Sequence, residues 1–265
     1  MSQIERSEGR RLFGSDPAAY ELGRPGHATR VYDVLVERCG VGPGTRVVEV
    51  GPGTGQATRR LLELGADLVI VEPNAELAAY LEDTLGQRLT LLRGTLEETD
   101  LGAGGFDLAA AASSFHWVDE RVGLARLLTS LRPSAWCAIW WTLFGADAEP
   151  DAFHAATSSM LDGLDTSPTQ GEEGRPRHAL DRERRVSALV AAGFVEVDHE
   201  LATWEVSWDP AGIRALYGSF SPILRLDAPR RNEILDEIAR IAADEFEGRV
   251  TRRLTTSLYT ARKPS

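Results

Sequence analysis

The chain has 265 residues, with 40 acidic against 29 basic side chains and a formal net charge of −11 when histidine is neutral. A hydrophobic share of 43% beside 26% charged residues supports an ordinary folded core and excludes a disordered chain. The acid excess argues against a protein that grips phosphate backbones, because that affinity comes from clustered lysine and arginine.

In chain order, apolar residues at helical spacing predict a helix over 28–38, closed by the turn from Gly40 to Gly44. Thr45 to Val50 is short and β-branched, Gly51 to Gly55 is a glycine-rich turn, and Gln56 to Leu64 returns to helical spacing. The strand-then-helix unit recurs with 68–72 and 75–85, continues with a strand over 89–93, and recurs again with 106–112 and 120–131. A fifth strand is expected over 135–143. Alternation of this kind implies an α/β, doubly wound sheet that is mostly parallel and covered on both faces.

Beyond Leu143 the pattern loosens, with loop over 145–149, helix over 150–161 and an exposed linker over 165–176. A helix over 181–192, a long alternating strand over 194–206, helices over 210–217 and 228–246, and a strand over 250–261 follow. The expected organisation is therefore N-terminal cap helices over 1–40, a core over 41–145, a lid insertion over 146–192, and C-terminal strands over 193–265 with a helical insertion near 207–248.

No apolar run reaches the roughly 18 residues of a membrane-spanning helix, and the first residues carry no apolar signal core. Cys39 and Cys137 give neither a disulfide framework nor a metal spacing, and His27, His116, His154, His178 and His199 are scattered. A cytoplasmic protein with no metal site and no membrane partner is expected.

The strongest chemical signal is Glu49-Val50-Gly51-Pro52-Gly53-Thr54-Gly55, where a buried strand hands over to a helix. In an open α/β sheet this turn faces the ligand, and the missing side chains admit its close approach. Glu72 ends the second strand 21 residues after Gly51, the distance at which a carboxylate reaches the hydroxyls of a ribose. A dinucleotide fingerprint, G-x-G-x-x-G, would place its third glycine at position 56, which is Gln56. Glu49 is foreign to that fingerprint, and an ammonium on the ligand would explain it.

With these residues the sequence resembles the class I S-adenosylmethionine-dependent methyltransferases, more narrowly the methyltransferase type 11 family. Glu49 to Gly55 resembles the family's first motif, Glu72-Pro73-Asn74 its ribose-binding segment, and Gly94-Thr95-Leu96-Glu97 the segment beside the adenine. Phe106 to Ala112 with Ser113-Ser114-Phe115-His116-Trp117 is similar to its fourth strand and the His-Trp pair after it. Tyr20 to His27, with Arg24-Pro25 inside it, resembles a segment that precedes the core in many relatives. The likeness covers residues 12 to 145 well and the rest in outline.

The resemblance implies a seven-stranded Rossmann-like methyltransferase sheet with helical lid insertions and a final antiparallel strand. It also implies S-adenosyl-L-methionine as cofactor, held by Tyr20, Arg24, Glu49, Gly51, Pro52, Gly53, Gly55, Glu72, Pro73, Thr95, Leu96, Ser113, His116 and Trp117. Tyr20 and Arg24 would close over the methionine carboxylate. Relatives often carry Asp at position 95, so the adenine contact here falls to the Thr95 hydroxyl or the Leu96 amide. His116 is the catalytic candidate, as a base or as an orienting group of the pocket. Phe13, Trp117, Trp140, Trp141, Phe144, Trp204, Trp208, Tyr217 and Phe220 suit a flat, apolar acceptor. The expected function is methyl transfer to a small organic molecule, at oxygen first, with nitrogen or carbon as alternatives. A non-catalytic binding module and a nicotinamide-dependent dehydrogenase are the competing readings, and no Tyr-x-x-x-Lys signature supports the latter.

Overall fold

The structure is a computed structural model that describes residues 4–8, 17–144, 151–166, 169 and 176–265. Helices α1 (Pro17–Gly23) and α2 (Thr29–Glu37) precede the sheet. The alternating core is β1 (Arg46–Val50), α3 (Gln56–Glu63), β2 (Asp67–Glu72), α4 (Ala75–Leu85), β3 (Leu89–Arg93), β4 (Phe106–Ala112), α5 (Glu120–Ser130) and β5 (Leu131–Phe144). There follow α6 (Ala152–Thr157), α7 (Arg182–Ala191), β6 (Val195–Trp208), α8 (Pro210–Gly218), α9 (Ser221–Leu224), α10 (Ala228–Asp244) and β7 (Val250–Arg262).

The seven strands form one sheet in the order β3-β2-β1-β4-β5-β7-β6, parallel throughout except for β7, which runs antiparallel to both β5 and β6. This is the seven-stranded, mostly parallel Rossmann-like sheet that the resemblance implies. The strand order reverses between β1 and β4, so the carboxyl ends of these strands open the crevice in which such sheets hold ligands.

Alternation along the strands sorts the core into two layers. Val48, Val50, Val71, Ala111 and Trp141 share a buried layer with Leu124 and Leu127 of α5 and Leu189 of α7. Val47, Leu68, Leu108 and Trp140 share the other with Val31 and Leu35 of α2 and Leu61 of α3. Adjacent Trp140 and Trp141 therefore point to opposite faces.

A third cluster lies on β6 and β7. These strands are 14 and 13 residues long against 5 for β1. On their extra length, Trp208, Val250 and Leu254 pack with Ile213, Leu216, Tyr217, Ile234, Ile238 and Phe153, giving the helices α6 and α8 to α10 a core of their own. Aspartates start α6, α8 and α10: Asp151, Asp209 and Asp227 accept amide hydrogens at 2.7, 2.7 and 2.9 Å.

Helix α1 is part of this cap. The Trp208 indole donates to the Gly23 carbonyl at 2.8 Å, and a Cβ on Gly23 would lie 2.2 Å from the Leu216 amide nitrogen, so only glycine permits this contact with α8.

Three local expectations need correction. Strand β5 begins at Leu131 rather than Ala135, because a register shift between Phe106 and Leu108 and a positive φ of 62° at Ser134 accommodate Pro133. The helix expected over 150–161 is α6 followed by a separate 3-10 turn, Ser158–Leu161. Short α9 had no periodicity to announce it. The expected loop over 145–149 and most of the linker over 165–176 lie outside the described residues.

Candidate functional site

At the carboxyl ends of β1, β2 and β4 the chain encloses a cavity of about 650 Å³, whose far side is the helical cap. The glycine turn forms its floor, and its three glycines have different reasons. A Cβ on Gly51 would lie 2.7 Å from the Ser114 Cβ, and one on Gly55 2.8 Å from Leu81, so both are demanded by packing. Gly53 has a φ of 61° and nothing within 4 Å of its Cβ position, which opens on the cavity that it lines together with Gly51 and Pro52. A cradle is left there for a ligand that comes up to the backbone.

Glu72 closes this turn from β2. One carboxylate oxygen accepts the Asn74 amide at 2.8 Å and the other the Gly53 amide at 3.4 Å. The residue is 4% exposed, and burial pushes its carboxyl up to about 7 in spite of these bonds. Pro73 lines the cavity beside it.

Glu49 and Gly55 do not line the cavity. Glu49 is fully buried behind the turn, where the Thr58 hydroxyl donates to one carboxylate oxygen at 2.7 Å and the other has no hydrogen-bond partner among the described residues. Burial, with the Glu72 charge adding to it, raises this carboxyl to about 7.

Thr95 and Leu96, after β3, line the cavity on the Glu72 side. The Thr95 hydroxyl is engaged, donating to Glu98 at 2.9 Å, and the Leu96 side chain is packed into the core.

Ser113 follows β4 with a φ of 53° and turns the chain into the 3-10 turn Phe115–Trp117. That turn delivers His116 and Trp117 to the wall. The Trp141 indole N–H donates to His116 Nδ1 at 3.1 Å. An indole nitrogen can only donate, so Nδ1 is the accepting nitrogen and the ring proton sits on Nε2. Burial, then the nearby His178 and Arg24, hold the imidazole well below its usual range, so His116 is a neutral donor.

Arg24 and Tyr20 come from α1 and the residue after it. Arg24 is enclosed: its Nε donates to the Ser219 hydroxyl at 2.6 Å, and its guanidinium carbon lies 5.0 Å from the ring centres of Phe144 and Phe220 and 5.5 Å from that of Tyr20. It pairs with no carboxylate among the described residues, and burial lowers its pKa. Gln56 fixes the segment by donating to the Arg24 carbonyl at 2.7 Å, and Glu21 binds Arg59 at 2.6 Å and Tyr80 at 2.7 Å.

Of the aromatic residues expected at an acceptor site, Trp117, Trp141, Phe144, Tyr217 and Phe220 line the cavity. Trp140 instead packs edge-on to His27 beneath the sheet, Trp204 and Trp208 support the cap, and Phe13 lies outside the described residues. Sequence reasoning missed Ser219, Arg177 and Arg252 as parts of this site. Arg252 alternates inward with Val250 and Leu254 on β7, which was the one readable signal. Among the described residues no cluster of His, Cys, Asp and Glu could hold a metal, and no helix is long and apolar enough to cross a membrane.

Residues 48–139, which run from β1 into β5 and include the glycine turn, match the family model of a methyltransferase domain. An uncharacterized methyltransferase of Mycobacterium tuberculosis is 36% identical over 129 residues, which are 49% of this chain and 51% of that protein. The chain thus spans about half the length of the first curated relatives that it matches. Among solved structures, a putative type II methyltransferase from Anaeromyxobacter dehalogenans superposes with a TM-score of 0.61 at 22% identity, covering 91% of this chain and 97% of that one. A Haemonchus contortus phosphoethanolamine N-methyltransferase, solved with S-adenosylhomocysteine, gives 0.60 at 15% identity, covering 99% and 61%. At these identities the two structures share the fold.

Proposed function

We propose that the chain transfers a methyl group from S-adenosylmethionine to a small organic acceptor, at oxygen, a reading supported by the match of residues 48–139 to a methyltransferase domain. The observation that carries this reading is the Gly53 amide on the Glu72 carboxylate, which joins the open glycine cradle to an acid at ribose distance. When bound, S-adenosylmethionine supplies a methyl carbon on a sulfonium, an electrophile that needs a well-aligned nucleophile and exclusion of water.

The chain's own residues divide the binding work. Glu72 receives the ribose hydroxyls, with Pro73 beside it and Gly51, Pro52 and Gly53 beneath. Because the Thr95 hydroxyl is committed to Glu98, the Leu96 amide is assigned the adenine edge. Arg24, a buried cation with no carboxylate of its own, receives the methionine carboxylate under Tyr20. The unpartnered carboxylate oxygen of Glu49 stands behind the turn, where the ammonium of a bound cofactor would favour its ionised form. Ser113 and Trp117 form the wall, and His116 orients the acceptor through Nε2–H rather than acting as a base.

The buried, unpaired thiols of Cys39 and Cys137 support a reducing, cytoplasmic setting. Calorimetric titration with S-adenosylhomocysteine, beside NAD and NADP, tests the cofactor assignment. Micromolar binding of the first alone is expected, and binding of a dinucleotide alone overturns it.

A further inference from the structure

Beyond the glycine turn the cavity changes character. Its sides become apolar and aromatic, with Phe144, Leu161, Leu164, Phe220 and Ile223 in the wall. The charged groups set among them are mainly cationic. From Arg24 a row runs through Phe220, at 5.0 Å, and Tyr217, whose ring centre is 5.1 Å from that of Phe220, to Arg252. Arg252 is 3% exposed, and its guanidinium is held by Asp151 at 2.8 Å and the Tyr217 hydroxyl at 3.4 Å. Arg177 donates to the Phe144 carbonyl at 3.4 Å and lines the same wall. His116 adds an N–H through Nε2.

The acids of this wall are placed elsewhere. Glu72 belongs to the turn, Glu97 accepts the Asp119 amide at 2.9 Å, and Asp165 is ion-paired with Arg225. His154 stands on α6 in the cap, next to the Asp151 that holds Arg252.

This chemistry discriminates between nucleophiles. An alcohol or phenol has to lose a proton, and the histidine beside the turn keeps its basic nitrogen occupied by the Trp141 indole. An amine becomes a cation on methylation, beside the Arg177 guanidinium, which repels it. A carboxylate arrives already ionised, is attracted by the Arg177 guanidinium and the His116 N–H, and requires no base.

We infer that the acceptor is a carboxylic acid with an apolar body, bound as its carboxylate against His116 Nε2–H and the Arg177 guanidinium, and that the product is its methyl ester. This rests on the methyltransferase reading. A donor on one carboxylate oxygen leaves the other to attack: it bonds to the methyl carbon as the carbon–sulfur bond breaks, and the electron pair stays on sulfur. The carboxylate and sulfonium charges cancel, and no proton is taken up or released.

The test begins with protein loaded with S-adenosylhomocysteine and titrated with 3-phenylpropanoate and octanoate, each beside its matched alcohol and amine. The acids are expected to bind at least about tenfold tighter, a preference of about 1.4 kcal/mol. Arg177→Gln should erase this preference and Arg177→Lys should keep part of it. With methyl-labelled S-adenosylmethionine and the same panel, the label in the product should be released as methanol by mild alkali. Equal or tighter binding of the alcohols or amines, the absence of any acid preference, or label that resists alkali overturns the inference while the methyltransferase reading stands. Failure of S-adenosylhomocysteine to bind at the first step strikes that reading itself, and the inference falls with it.

Discussion

The Trp141 indole and the His116 imidazole, contributed by β5 and by the turn after β4, meet through a 3.1 Å hydrogen bond that fixes which ring nitrogen carries the proton. Long-range nitrogen–proton correlation spectra of the wild type should therefore show one neutral tautomer, protonated at Nε2, with no imidazolium signal as pH crosses 6.5, where an ordinary histidine titrates. Trp141→Phe removes the donor and frees Nδ1, so the tautomer protonated at Nδ1 should appear beside the Nε2 form. His116→Phe leaves the indole N–H buried and unpaired, which costs about 1–3 kcal/mol of stability. An imidazolium in the wild type near neutral pH would contradict the donor assignment.

The two buried acids give the protein a pH signature. Glu49 and Glu72 are raised from 4.5 to about 7 on folding, so between these values the folded chain holds protons that the unfolded chain has released. Their stabilising contribution is present below about 4.5 and is lost as pH rises through about 7, on the order of 1–3 kcal/mol for each group. Ligand-free protein should melt at a lower temperature at about pH 8 than at about pH 5. Glu72→Gln should reduce that difference. S-adenosylhomocysteine affinity should move the other way, because an ionised carboxylate is the better acceptor for ribose hydroxyls. Scanning calorimetry of both proteins decides the matter, and identical slopes would remove Glu72 from the account.

Gly51 and Gly53 should part company under mutation. Gly51→Ala drives a Cβ to 2.7 Å from Ser114 and should lower the melting temperature, with a cost of about 1–3 kcal/mol from overpacking. The Cβ of Gly53→Val meets no atom within 4 Å, so the variant should cost about 1–2 kcal/mol from its positive φ and chiefly fill the cradle. S-adenosylhomocysteine binding should fall at least about tenfold in the second variant. Equal loss of stability and retained affinity in both would dissolve the distinction.

Ser219→Ala removes the hydroxyl that holds Arg24 Nε at 2.6 Å while leaving the arginine in its aromatic enclosure. Cofactor affinity should weaken by about tenfold, as expected for a bond to a charged group worth about 1.5 kcal/mol. Isothermal titration against the wild type measures it. An unchanged dissociation constant would mean that Tyr20, Phe144 and Phe220 position the guanidinium without help.

Much of this architecture is legible because the signals are local. The turn from Gly51 to Gly55 and Glu72 sit at strand ends that β-branched runs announce, and alternation along β1 to β4 sorts their side chains by face. The opposite directions of Trp140 and Trp141 follow from the same period, yet two adjacent indoles carry no mark of which one faces the pocket. The inward place of Arg252 was readable from β7, but the pairings of Ser219 with Arg24 and of Arg252 with Asp151 were not, because the partners stand 195 and 101 positions away. The 3-10 turn after β4 was hidden for a different reason: the positive φ of Ser113 arises where its amide meets the Trp140 carbonyl at 2.7 Å.

The contact of Gly23 with α8 also bears on how the chain is made. The sheet from β1 to β5 occupies an unbroken stretch of sequence, and its parallel pairings can be completed while later residues are still being synthesised. Gly23 and Arg24 emerge before that stretch, but their seats on Leu216 and Ser219 are translated nearly two hundred residues afterwards. A nascent core can therefore hold the α1 segment through Gln56, Arg59 and Tyr80 while Gly23 and Arg24 still lack their contacts with the cap. The cavity gains its far side, from Tyr217 to Ile223 and Arg252, only when the last helices and β7 are in place.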